Sequence, residues 1–323
     1  MKFKYGNYTF AHNPTQADKD ITAINDNVMT LSGRVIAQPT FFKNSSTITS
    51  TFYQPRDLQL LPYLCTDNVI CFNQTTNQFY TYNLASQVIK IYNANFLYIS
   101  SINCSSLALT SVDDITSMNN SIYLSASNLR YGRQMYVVPI STKILSAGNS
   151  IAIIVMALAN DGNNVYILDN QGNVWIWHTG SLVFVFNLNT TTTGLEYSNG
   201  FFFTVSPGTN IMNVIGNDIR FGYQVIDGIY LSPTLNKTVE SLCFKNSNIL
   251  YYIDSSYNSV KGMSINTVNQ DIFNLSQQVK SGIVSLSDQY GRTNNVVATE
   301  IDIKRLDKLV KSYQVTLKVE GVF

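Results

Sequence analysis

The chain has 323 residues, of which 21 are basic and 20 acidic, for a formal net charge of +1. No long-range field of one sign draws such a protein to nucleic acid or to an anionic membrane, so neither is an expected partner. Only 13% of residues are charged against 45% hydrophobic, with 20 Tyr and 17 Phe, a mixture suited to antiparallel sheets whose turns are supplied by Asn and Ser.

The start, Met1 to Asn7, carries Lys2 and Lys4 but no apolar core of ~7–15 residues and no small-residue cleavage site, and is read as a mature N-terminus. Phe3, Tyr5, Tyr8 and Phe10 alternate, then a polar stretch with His12-Asn13-Pro14 leads to apolar runs over 21–29 and 31–42. From Val69 the pattern changes to hairpins. Val69 to Phe72 pairs with Gln78 to Tyr82, and Ser121 to Leu124 with Gln134 to Val138. Asn164 to Asp169 turns at Asn170 and Gly172 into Val174 to His178, where Gly and Asn supply the positive φ of a tight turn. Gly200 to Thr204 then pairs with Asn210 to Val214, and Ile249 to Asp254 with Val260 to Ser264. Further strand-like runs lie between them, over 87–92, 151–159, 181–187 and 225–231. The longest apolar run, Ile151 to Ala159, falls short of the ~20 residues that span a bilayer, so no membrane insertion is expected. The end gives Gly282 to Leu286, a turn at Asp288-Gln289-Tyr290-Gly291, and alternating strands over 295–303 and 311–319.

Alternation dominates and sustained helical spacing is absent from this reading. The hairpin starts are separated by roughly 35–55 residues, close to the period of four-stranded propeller blades. The predicted fold is therefore all-β, a five-bladed β-propeller over residues 56–277 inserted into a β-sandwich or barrel domain formed by both termini, residues 1–55 and 278–323. A β-sandwich or a stack of unrelated hairpins competes, because no fixed dipeptide marks each repeat.

Chemistry is sparse. Cys65, Cys71, Cys104 and Cys243 have neither CxxC spacing nor a histidine cluster, so they read as buried free thiols. A catalytic triad or His-based metal site has only His12 and His178 to draw on; the first sits in an Asn-Pro turn and the second at a strand end. Asp113-Asp114, Asp161-Gly162-Asn163-Asn164 and Asp169 to Asn173 superficially suit a cation, but turn formation explains them without one. Trp175 and Trp177 share one strand face, as do Tyr80 and Tyr82. Core packing is the default for these rings, with a sugar-stacking surface as the alternative. No catalytic residue, metal ligand or cofactor is assigned, and the binding residues are left open.

Tyr5-Gly6-Asn7-Tyr8-Thr9-Phe10-Ala11-His12-Asn13-Pro14 resembles the aromatic-Gly-x-Tyr-x-Phe-Pro-x-Asn-Pro start of tail and baseplate proteins of phages of Gram-positive bacteria, with Ala11 where the pattern has Pro. Gly282 to Leu286, Asp288 to Gly291 and Tyr313 to Glu320 are similar to the end of the same tail-tube-like β domain. The resemblance implies a split β domain that builds a ring in a virion tail, with the propeller as a module for a partner or host surface. On this reading the protein is a non-enzymatic virion component, partnered by its own copies, other tail proteins and a cell-surface glycan or protein. A free-standing carbohydrate- or protein-binding propeller is the second reading, and a propeller hydrolase or lyase the third.

Overall fold

A computed structural model describes residues 4–9, 21–22, 45–52, 63–145, 148–179, 181–190, 192–206, 211–230, 239–246, 249–254, 258–265, 268–287, 293–307 and 312–321. His12-Asn13-Pro14 and the apolar runs expected over 23–29 and 31–42 lie outside these residues. The fold is all-β with several four-stranded antiparallel sheets, propeller-like in organisation.

The strands in chain order are β1 (Lys4–Tyr5), β2 (Tyr8–Thr9), β3 (Ile21–Thr22), β4 (Ser45–Phe52), β5 (Tyr63–Leu64), β6 (Val69–Asn73), β7 (Gln78–Asn83), β8 (Val88–Asn93) and β9 (Tyr98–Asn103). There follow β10 (Leu109–Met118), β11 (Ser121–Asn128), β12 (Gly132–Pro139), β13 (Asn149–Ser150), β14 (Val155–Asn160), β15 (Val165–Asp169), β16 (Asn173–His178) and β17 (Ser181–Asn187). The rest are β18 (Gly194–Ser198), β19 (Phe201–Val205), β20 (Ile211–Asp218), β21 (Gly222–Tyr230), β22 (Val239–Asn246), β23 (Ile249–Asp254), β24 (Ser259–Ser264), β25 (Ile283–Ser287), β26 (Thr293–Asp307) and β27 (Ser312–Gly321). Among the described residues one α-helix, α1 (Val268–Lys280), stands before β25.

The chain divides into two compact units: Met1–Arg56 with Asp218–Gly222 and Asn266–Phe323, and Asp57–Asn217 with Tyr223–Ile265. In the first, strands from both ends form one seven-stranded sheet in the order β2-β1-β25-β26-β27-β4-β3. Tyr5 stands opposite Leu286 of β25, and Leu317 of β27 opposite Ile48 of β4, so the sheet exists only when the ends meet. The turn from β1 to β2 depends on Gly6, whose φ of +58° suits Gly and whose N–H donates to Ser285 O at 2.7 Å. The helix α1 was not foreseen. It ends at Lys280, with the Ser281 N–H donating back to Gln277 O and Gly282 at φ +93° supplying a left-handed stop.

The second unit holds five four-stranded sheets: β6–β9, β10–β13, β14–β17, β18–β21, and β22–β24 joined by β5. That last pairing sets Leu64 opposite Ser259 and Tyr63 opposite Val260, so a strand from before the first sheet completes the fifth. The first strands adjoin one another in a cycle, β6 to β10 to β14 to β18 to β22 and back to β6. Because successive side chains point to opposite faces, Val69 and Cys71 of β6 pack with Ile115, Leu124 and Tyr136 of the second sheet, while Ile70 and Phe72 pack with Cys243, Tyr251 and Ile253 of the fifth. A strand buried on both faces loses its alternation and reads as a continuous apolar run. Val69–Asn73, Val165–Asp169 and Phe201–Val205 are such strands, buried at every position.

Candidate functional site

The C-terminal ends of the first strands surround a cavity of about 380 Å³. Cys71 and Phe72 come from β6, Thr116 and Ser117 from β10, Asn160 from β14, Glu196 and Tyr197 from β18, and Phe244 from β22. A cavity lined from all the members of a closed cycle lies on its axis. Side chain to backbone bonds hold its rim: Asn160 Nδ2 donates to Ser117 O at 3.1 Å, Ser117 Oγ to Phe72 O at 3.0 Å, and Gln74 Nε2 to Lys245 O at 2.9 Å.

Two carboxyls on these strands are buried. Asp114 is 1% exposed, accepts Leu158 N–H at 2.8 Å, and stands 2.8 Å from Ser241 Oγ, so it links β10 to β14 and β22. Burial pushes it up to about 7, against the hydrogen bonds from Leu158, Ile115 and Ser241. Glu196 is 7% exposed and lines the cavity. Burial, aided by Asp114, raises it well above the ordinary carboxylate range, while the Tyr197 N–H on Oε1 at 2.9 Å acts the other way. Burial likewise raises the Cys71 and Cys243 thiols well above their usual range, which makes them poor nucleophiles.

Of the three acidic segments read as turns, Asp161 and Asp169 do cap turns, whereas Asp113 and Asp114 lie within strand β10. Asp113, adjacent to Asp114 in sequence, points away from it to a bidentate pair with Arg133, at 2.8 Å to Nε and 3.0 Å to Nη2, and accepts Ser125 Oγ at 2.7 Å. Asp161 caps its own turn through Asn163 N and Asn164 N and takes the Tyr166 hydroxyl at 2.8 Å. Asp169 does the same with Gln171 N and Asn173 N and takes Trp175 Nε1 at 2.9 Å. These donors hold both carboxyls below the usual range despite the opposing effect of burial. Among the described residues no group of three or more His, Cys, Asp or Glu is placed to hold a metal ion.

Tyr80 and Tyr82 are fully buried core residues. Trp175 and Trp177 pack against the cluster between the second and third sheets, with Trp177 edge-on to Tyr123 at 6.0 Å. His178 is exposed at the end of β16 and is not part of the cavity lining. Glu196 was missed in the sequence. Its signal is a charge inside an otherwise uncharged strand, Gly194-Leu195-Glu196-Tyr197-Ser198.

No protein-family model matches the sequence, and no curated protein matches it. Two solved structures are similar at the level of the backbone. One is the crystal structure of a nidogen/laminin complex, at 17% identity and a TM-score of 0.46, over 62% of this chain and 76% of that one. The other is a luciferin-regenerating enzyme, at 11% identity and a TM-score of 0.42, over 65% of this chain and 95% of that one.

Proposed function

We propose that this is a structural assembly protein, a virion component of a phage or phage-like tail or baseplate, in which a five-bladed propeller is inserted into a β domain built from both termini. The terminal domain closes rings of identical subunits and meets neighbouring tail proteins. The propeller contacts a partner or the host surface, and the protein is not an enzyme. The observation that carries the reading is the seven-stranded sheet, whose members come from residues 4–52 and 283–321 while the five smaller sheets use only residues between them. Such a sheet presents strand edges, and edges are natural sites for pairing with a further chain. A head-to-tail contact of that kind closes into a ring when its rotation permits. The motifs at the two ends, Tyr5 to Pro14 and Gly282 to Glu320, supply the resemblance to tail proteins.

The test removes Lys311–Phe323, which deletes β27 from between β26 and β4. The full-length chain is expected to form a closed oligomer by light scattering, and the shortened chain to lose it while keeping its tryptophan fluorescence. A shortened chain that assembles as before would overturn the proposal.

A further inference from the structure

The axial cavity carries a buried carboxyl in its wall. Gln74 Nε2 donates to the carbonyls of Lys245 at 2.9 Å and Phe244 at 3.3 Å, and Asn160 Nδ2 to Thr116 Oγ1 at 2.9 Å and Ser117 O at 3.1 Å. A backbone carbonyl only accepts, so the atom facing it must be the amide nitrogen. Gln74 is thereby left with its Oε1 as an acceptor at the rim, while Asn160 Oδ1 already accepts the Gly162 N–H at 3.2 Å. Glu196, 7% exposed, accepts one bond at Oε1, and its Oε2 has no hydrogen-bond partner among the described residues. No Lys or Arg lines the cavity.

We propose that the axial cavity binds the primary ammonium group of a small polar ligand, with Glu196 Oε2 as its principal acceptor and Gln74 Oε1 as a second acceptor at the rim. An ammonium brings three donors, a positive charge and no acceptor, which is the complement of a buried carboxyl with no basic side chain beside it. A phosphate or carboxylate brings only acceptors and negative charge. An uncharged polyol leaves the carboxyl in the protonated form that burial favours, whereas an ammonium supplies the counter-charge on which it ionises, and a bare metal ion lacks a sufficient ligand set among the described residues. At about 380 Å³ the cavity has room for a carbon body as well, bounded by Phe72 and Phe244. An amino sugar or a short hydroxyamine has the right size and polarity.

The inference deepens the reading of this unit as a binding module and rests on it. It does not depend on assembly through the terminal sheet, so the two can fail separately. The full-length protein would be titrated calorimetrically with D-glucosamine, ethanolamine and putrescine, with N-acetyl-D-glucosamine and glycerol as uncharged counterparts and calcium chloride as a competitor. At least one amine is expected to bind saturably below about 20 mM, with its uncharged counterpart at least about tenfold weaker. Glu196→Gln keeps the shape and removes the charge, and is expected to weaken that amine about tenfold without changing the light-scattering mass. Gln74→Leu, at the cavity rim, provides an independent variant and is expected to weaken it severalfold. Absence of binding by every amine, equal binding of N-acetyl-D-glucosamine and D-glucosamine, displacement of the amine by calcium, or unchanged affinity in the two variants would each overturn the proposal. Loss of assembly alone would leave it standing and count against the tail reading instead.

Discussion

Replacing Asp114 with Asn is expected to leave the protein nearly unchanged at low pH and to stabilise it at high pH. Ser241 Oγ carries one hydrogen, accepts Ile70 N–H at 3.1 Å, and lies 2.8 Å from Asp114 Oδ1 and 3.2 Å from Ile70 O. Both oxygens are satisfied together only when Asp114 brings the second hydrogen, donating it to Ser241 while Ser241 donates to Ile70 O. Burial, which raises the carboxyl to about 7, favours that same protonated form. Since the unfolded carboxyl titrates near ~3.9, the folded chain holds a proton between these values that the unfolded chain has released. The group's stabilisation is therefore full below pH ~4 and is lost as the pH rises through about 7. The span corresponds to at most ~4 kcal/mol, with water entry and local relaxation reducing it. Asn offers an oxygen to Leu158 N–H and an N–H to Ser241, reproducing the protonated pattern without titrating. Urea unfolding followed by fluorescence reads this unit directly, because both tryptophans, Trp175 and Trp177, belong to it. The variant should match wild type near pH 4.5 and exceed it by about 2–4 kcal/mol at pH 8.5. A variant weaker than wild type by more than ~1 kcal/mol at pH 8.5 would refute the proton count, since the ionised carboxylate would then be the better-accommodated form.

Phe79 meets Phe72, Tyr251 and Phe96 at ring-centroid distances of 4.7, 4.9 and 5.4 Å. Phe79→Ala should accordingly cost ~3–5 kcal/mol in the same urea assay. Gly6→Ala forces a Cβ onto a φ of +58° and to 2.4 Å from Gln278 Oε1. A loss of ~1–2 kcal/mol is expected, seen as faster amide exchange in β1 and β25 with the fluorescence transition unmoved. The four free cysteines are all buried. They should react with an aromatic disulfide reagent at pH 8 only after urea unfolding, and prompt labelling of Cys71 or Cys243 in the native protein would contradict their placement.

The hairpins were legible because turn chemistry is local. Asn170 and Gly172 mark their turn in the sequence, and Gly172 does take a φ of +80° there. Strand parity put Tyr80 and Tyr82 on one face, and core packing, the default reading for them, is where they are found. The helix α1 left a fainter trace, Val268, Ile272, Leu275 and Val279 at helical spacing, which was overlooked beside strong strand patterns. The second compact unit ends at Ile265, ahead of that helix. The axial cavity was not legible, since its walls come from strands between about residues 71 and 246 and only closure of the cycle brings them together. Asp113 and Asp114 show the same limit. They were read as a turn, yet they lie in β10, where strand alternation sends one to Arg133 and the other toward Ser241.

Electron microscopy of the purified full-length protein tests the central claim most directly. The account predicts closed rings in which the seven-stranded sheets of neighbouring subunits meet and the propellers project without touching one another. Monomers at all concentrations, or rings joined through the propellers with the terminal sheets left apart, would contradict it.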